Sequence, residues 1–306
     1  MPVVSLGKVI YHKTPNLMEK LRHADYIIRP DDAHYDLEEI NEFCDEHELW
    51  PKVIYYDKKD SPQLDVHRLR ACGAYIKRSW PNWFDRSPRK RPEFPVLPMD
   101  YGLINEYFHT PIPAVKDIDV VCPFLPDQKI GKRRFAIVSA LVKARHRFKI
   151  SVIGQNPIRG RIGRRAIFDP PENNPFLEYL SLIKHAKIIF TAYPEPQNGD
   201  SRTWEAFSSG ALVFKEQSYI PSPYPFQHCK HCIIYDSLSE ASIQEAIDLA
   251  VYYLKHDSER RRIAREGYDY ARQYHMPRNR IDYILSWVNS ADKKLEKHVV
   301  GPVEFA

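Results

Sequence analysis

The sequence of 306 residues predicts an α/β protein made of two parallel-sheet domains. Three observations carry this. Short β-rich runs alternate with helix-patterned stretches along most of the chain, which is the pattern of βαβ units. The alternation is broken once, by the proline-rich stretch Trp80–Pro98. The length exceeds what one small core organises and suits one large or two medium domains. With 43% hydrophobic and 28% charged residues, the chain is not of the disordered class.

In the first half, Asp25–Ile28 reads as a strand that ends in the turn-rich Arg29-Pro30-Asp31-Asp32. Leu37–Leu49 has helical spacing, Lys52–Tyr56 is a second strand, and Ala74–Ile76 a third. In a parallel sheet the ligand crevice lies beyond the carboxyl ends of the strands. The acidic clusters around Asp32 and around Asp57 and Asp60 both fall there. Trp80–Pro98 reads as a long loop, because proline withholds a backbone donor from helix and sheet. A domain junction is expected near Thr110–Lys116.

The second half reads more regularly. Strands are expected at Ile118–Cys122, Lys149–Ile153, Lys187–Thr191, Ala211–Phe214 and Cys232–Tyr235. Helices are expected at Arg133–Arg147, Pro175–Ala186, Ser201–Ser209, Ser239–Lys255, Ser258–Tyr274 and Arg278–Asn289. Apolar residues recur at helical spacing in the first two, for example Val138, Leu141 and Val142, then Leu180 and Ile183. The resulting division is 1–112, 113–275 and a terminal helix and tail at 276–306, which pack back on the first domain.

Net charge is only +5, but it is unevenly placed: Lys129 to Arg165 holds twelve Lys or Arg and no Asp or Glu. Such a run is either a solvated basic face or a surface for an anionic ligand. No apolar run reaches the roughly 20 residues that span a bilayer. Met1–Lys8 lacks the apolar stretch of a secretion signal. The expectation is a cytoplasmic protein without a transmembrane segment, compatible with peripheral membrane contact. Five scattered cysteines argue against a disulfide framework. His228-Cys229-Lys230-His231-Cys232 has metal-like spacing but no second knuckle, so it reads as a loop entering a strand.

The chemistry concentrates in Asn198–Phe214. A Gly199-Asp200-Ser201 turn follows a strand, with Ser201 as the expected N-cap. The helix that follows would aim its free amides and positive dipole end at the crevice, which suits phosphate. Arg202 is a cation in the first turn, unfavourable there unless an anion accompanies it. Glu205 is not at the capping-box position, so its carboxylate is expected to be free to accept hydrogen bonds, for instance from ribose hydroxyls. Gly210 ends the helix. The same pattern also fits an ordinary, well-capped βαβ connection.

The run Ser201-Arg202-Thr203-Trp204-Glu205-Ala206-Phe207-Ser208-Ser209-Gly210 resembles the donor-site motif of GT-B glycosyltransferases. The wider pattern is similar to the CgeB-like spore-protein group with its family-one-like C-terminal domain, and exostosin-like transferases are a second relative. The order is maintained by the strand Ala186–Phe190, the helix Ile243–Leu254, the segment Arg262–Gly267, and His275 ahead of a basic terminal helix. The resemblance covers about Asp117–Leu285. Retaining members often carry a glutamate eight positions before the second one, and here that position is Gln197.

The resemblance implies a GT-B fold, two Rossmann-like parallel-sheet domains facing a cleft. It implies transfer of a sugar from a nucleotide-diphosphate donor, a UDP-sugar foremost, to a hydroxyl of a glycan or other acceptor. Bound metal and cofactor are not expected. Ser201, Arg202, Thr203, Arg133 and Arg134 would then serve the diphosphate, Glu205 the ribose, and Gly154 close backbone approach to the nucleotide. With the first glutamate missing, inversion is favoured, which needs a general base from the first half. Asp60 is the first choice, followed by Asp57, Asp32 and His34. Trp80, Trp83 and Phe84 are available to stack on an acceptor sugar. His275 reads as a helix C-terminal residue. Two readings compete: a nucleic-acid-binding module using the basic run, and a non-catalytic nucleotide or sugar binder. No recognised nucleic-acid motif supports the first, and the presence of both Arg202 and Glu205 weighs against the second.

Overall fold

The computed structural model describes residues 3–5, 15–30, 38–59, 64–65, 68, 72–78, 96–124, 131–152, 175–193, 200–218, 220 and 222–290. The first sheet is built from β1 (Val3–Ser5), β2 (Tyr26–Pro30), β3 (Val53–Asp57), β4 (Ala74–Lys77) and β5 (Val96–Pro98), in that spatial order and all parallel. Helices α1 (Leu17–His23) and α2 (Glu38–Glu46) lie between strands. Side chains alternate across the pleat. Ile27 and Val53 therefore join Leu21, Ile40 and Cys44 on one face, while Ile28, Ile54 and Ile76 face the other way. Burial of each such side chain stabilises the fold by about 1.5–3 kcal/mol.

The second sheet is assembled from β6 (Ile118–Cys122), β7 (Ile150–Val152), β8 (Ala186–Thr191), β9 (Leu212–Glu216) and β10 (Ile233–Tyr235). Its order is β10-β9-β8-β6-β7, again all parallel. The chain places β7 on one side of β6 and then returns to place β8 on the other. That reversal leaves a crevice beyond the carboxyl ends of β6 and β8. One face packs on α3 (Lys132–Lys143) and α6 (Glu240–Lys255) through Ile188, Phe190, Phe214, Leu141 and Ile247. The opposite face packs on α4 (Pro175–Lys184) and α5 (Ser201–Ser208) through Ile189, Val213, Leu180, Trp204 and Phe207. Two more helices follow, α7 (Asp257–Tyr274) and α8 (Pro277–Asn289). Ile284 and Trp287 of α8 are buried with Ile28, Ile54 and Leu97 of the first sheet.

The second half matches the expected elements closely. In the first half, α1, β1 and β5 were not expected. Val96–Pro98 is a correction to the loop reading of Trp80–Pro98, because these three residues pair with β4. The rest of that stretch lies outside the described residues.

The chain passes between the sheets twice, and the two passages are tied together. The amide of Leu103 donates to the carbonyl of His275 at 3.0 Å, and Arg280 Nη2 donates to the carbonyl of Tyr101 at 2.8 Å. A Cβ on Gly102 would lie 2.8 Å from the His275 carbonyl oxygen, so this approach needs glycine.

Gly267 on α7 is tighter still: a Cβ there would lie 2.1 Å from the backbone oxygen of His231. This explains the glycine of the Arg262–Gly267 segment as a helix–loop contact. Gly267→Ala is expected to destabilise the fold by about 1–3 kcal/mol through overpacking. A urea unfolding midpoint equal to that of the parent would contradict it.

Candidate functional site

The crevice at the β6/β8 reversal is lined by two helix N-termini. Neither has its first-turn amides bonded by the cap side chain: Gly131 caps α3, and Asp200 caps α5 without a side-chain cap bond. Unpaired N-terminal amides and the helix dipole favour an anion. Ser201 is the first residue inside the helix and Asp200 is the cap, a shift of one from the expectation. The reason is long-range: the Asp200 carboxylate is drawn to Arg134, whose Nη2 lies 3.0 Å from Oδ1. Arg134 Nε also donates to the carbonyl of Ala192 at 2.9 Å, just past β8. This bridge joins the start of α3, the end of β8 and the start of α5 across the reversal. Asp200 Oδ2 is buried with no hydrogen-bond partner among the described residues. Burial pushes the Asp200 pKa up to about 6, against the pull of Arg134 and Arg202.

Arg133, next to Arg134, turns the opposite way. Successive helical residues diverge by about 100°. Its guanidinium is buried and paired with Glu216, the last residue of β9. Ser237 Oγ donates to the same carboxylate, and the Tyr193 amide donates to Glu216 Oε2 at 2.5 Å. Burial raises the Glu216 pKa despite these partners. Arg133 was expected to face a diphosphate. The structure pairs it with Glu216, a residue that no motif in the sequence singles out.

Arg202 and Glu205 are partners of each other. Arg202 Nη1 lies 2.9 Å from Glu205 Oε1 and 3.0 Å from Oε2. The Tyr179 hydroxyl donates to Oε2. The carboxylate expected to be free is thus occupied, which corrects that expectation: the helical i,i+3 spacing brings the two side chains to one face. Glu205 is 3% exposed and Arg202 is 35% exposed, so the arginine covers the acid and itself reaches the surface. Thr203 is buried with its hydroxyl 3.3 Å from that of Thr191, where it ties α5 to β8.

Of the first-half candidates, Asp57 alone is described. It is fully buried, 3.0 Å from Lys77 Nζ, and accepts from the Tyr75 hydroxyl at 2.5 Å and the Lys59 amide at 3.0 Å. These bonds hold β3 against β4 and the turn after β3. Asp60, Asp32, His34, Gly154, Trp80, Trp83 and Phe84 lie outside the described residues, as does Gln197. Among the described part of the basic run, Arg133 and Arg134 point inward to acids and Arg147 pairs with Asp248, so these three do not form one free basic face.

The Cys/His segment has other work. His228 Nδ1 accepts from the Ile234 amide, His231 Nδ1 accepts from the Gln227 amide, and the His231 ring stacks on Tyr270 of α7 at 4.0 Å. All five cysteines are free. No group of three or more His, Cys, Asp or Glu able to hold a metal occurs among the described residues. His275 ends α7 as expected, stacked on Phe226 at 4.9 Å, and burial drives its pKa down to about 2. No described helix is long and apolar enough to cross a membrane.

Two parallel sheets joined by a doubled passage, with a crevice at the reversal of the second, define the GT-B architecture. Solved structures share it across most of their length. A glycosyltransferase from Rickettsia africae ESF-5 superposes with a TM-score of 0.61 at 13% identity, covering 94% of this chain and 89% of that one. HepE of Anabaena, solved with UDP and glucose, gives 0.58 at 12% identity over 88% and 80%. An alpha-glucosyltransferase solved with UDP gives 0.61 at 11% identity over 90% and 83%. At these identities the likeness is one of fold. A search of curated proteins finds no match. The sequence profile described as Glycosyl transferase-like matches residues 133–286, half of the chain, which therefore belongs to that family and is a glycosyltransferase.

Proposed function

We propose that this enzyme moves a sugar from a UDP-sugar to a hydroxyl of a glycan or other acceptor, with inversion and without a bound metal. The observation that carries the donor site is the Arg134–Asp200 bridge, which sets two helix N-termini side by side at the β6/β8 reversal. A diphosphate fits there by charge and by hydrogen-bond donors. Arg202 would leave Glu205 for the diphosphate, and the released Glu205 carboxylate would accept from the ribose hydroxyls. Arg134, Arg202 and the helix amides then stabilise the charge that develops on the leaving diphosphate. UDP as the nucleotide is supported by the two related folds solved with it. The division 1–112, 113–275 and 276–306 serves as the working domain scheme, with the acceptor on the first part.

The test is a melting-temperature screen of nucleotides with and without a chelator. UDP is expected to raise the melting temperature by ligand linkage, with EDTA making no difference. A shift that EDTA removes would overturn metal independence. No shift with any nucleoside diphosphate would overturn the donor site.

A further inference from the structure

A second cavity opens where the end of β5 meets the end of β9 and the flank of α5. Asp100 enters it from just beyond β5, Lys215 and Gln217 from β9 and its exit, Trp204 from α5, and Arg280 from α8. Tyr224 and Phe226 add apolar ring surface. A mostly apolar hollow with a few convergent polar groups suits a small hydroxylated ring. It lies near the donor crevice, since Tyr193, just past β8, is within electrostatic reach of both Asp100 and Asp200; on β9, the neighbours Lys215 and Glu216 leave opposite faces. Lys215 points to this cavity, and Glu216 to Arg133.

Asp100 is the only carboxylate among the described residues lining the cavity. One oxygen, Oδ1, accepts from the Tyr101 amide at 2.7 Å, and the carboxylate forms no ion pair among the described residues. This contrasts with Asp57, which is fully engaged. Asp100 also comes from the first sheet and faces groups of the second.

We propose that Asp100 is the general base of the transfer, taking the proton of an acceptor hydroxyl held in this cavity. The proposal rests on the donor site described above. As the acceptor O–H bond breaks toward the Asp100 carboxylate, the hydroxyl oxygen bonds to C1 of the donor sugar. The bond from C1 to the diphosphate oxygen breaks, and its electron pair leaves with UDP. Asp100 ends protonated and returns the proton to solvent. Attack opposite the leaving group inverts the anomeric centre. The surroundings favour proton abstraction, because burial raises the Asp100 pKa while Lys215, Arg280 and Arg78 oppose the rise. Tyr56 and Tyr193 also lie within electrostatic reach of it. A base so placed is stronger than an ordinary aspartate.

The test uses the full chain. The donor is whichever of UDP-glucose, UDP-galactose and UDP-N-acetylglucosamine raises the melting temperature most. UDP release is followed with water and with p-nitrophenyl glycosides as acceptors. Asp100→Asn is expected to lower kcat by roughly 10²–10⁴-fold, with the donor KM and the UDP-induced melting shift unchanged. Asp100→Glu should recover part of the rate. Lys215→Met should move the acid limb of the rate profile to higher pH, because a cation that favours the carboxylate is gone. Three outcomes overturn the proposal: parental kcat in Asp100→Asn, loss of the UDP shift together with the rate, or a product that keeps the donor's anomeric configuration. Failure of the donor reading is distinct, since the parent chain would then show no response to nucleotide.

Discussion

Glu216→Ala is expected to destabilise the enzyme by about 3–5 kcal/mol, since it takes a buried carboxylate away from a buried cation. Both members of the Arg133–Glu216 pair are nearly inaccessible, at 4% and 1% exposure. The substitution also removes the acceptor for the Ser237 hydroxyl and the Tyr193 amide. Burial pushes the Glu216 pKa up against the attraction of Arg133. That makes the pair a poor stabiliser in absolute terms but a costly one to break. The double change Arg133→Met with Glu216→Leu should therefore recover most of the loss. Urea unfolding of the single and double variants checks this. A single variant as stable as the parent would show that Arg133 has another outlet.

Glu205→Ala is expected to abolish the UDP-induced melting shift while costing the fold much less. Arg202 is partly exposed, so losing its partner matters little to stability. The Tyr179 hydroxyl loses its acceptor, at about 1–2 kcal/mol. For the nucleotide, hydrogen bonds to an ionised acceptor are worth about 1.5–3 kcal/mol each, or roughly 10- to 150-fold in affinity. Glu205→Gln, which retains one acceptor oxygen, should fall between. Calorimetric titration with UDP separates the three proteins. Parental affinity in Glu205→Ala would remove this residue from the donor site.

Much of the second half was legible in the sequence because its elements are bounded by strong local signals. Gly210 takes φ of 67°, the left-handed region that favours glycine, and stops α5 where its position suggested. The cap falls one residue earlier than the sequence suggests, at Asp200. Asp200 and Ser201 are both good caps, and only a partner 66 positions away selects between them. The same holds for Arg133 and Arg134, which sequence alone cannot orient. β5 was hidden among prolines, yet it is an edge strand, where proline is tolerated. Glu216 and Asp100 were missed because each is one acid at the end of an apolar strand, with no repeat or motif around it. The usable signal was their position: a charged residue at the carboxyl end of a buried parallel strand.

The tied passages between the sheets carry a mechanical implication. Gly102 against His275, the Leu103–His275 bond and the Arg280–Tyr101 bond make a single pin from two strands of chain. The pin is one part of a longer seam, because Ile284 and Trp287 of α8 are buried against the first sheet and Ile220 packs with Tyr55, Tyr75 and Val96. Asp100 is the neighbour of Tyr101, so the carboxylate is fixed to this seam and not to a free loop end. Its place relative to Lys215 and Arg280 is therefore set by the same contacts that hold the two sheets together.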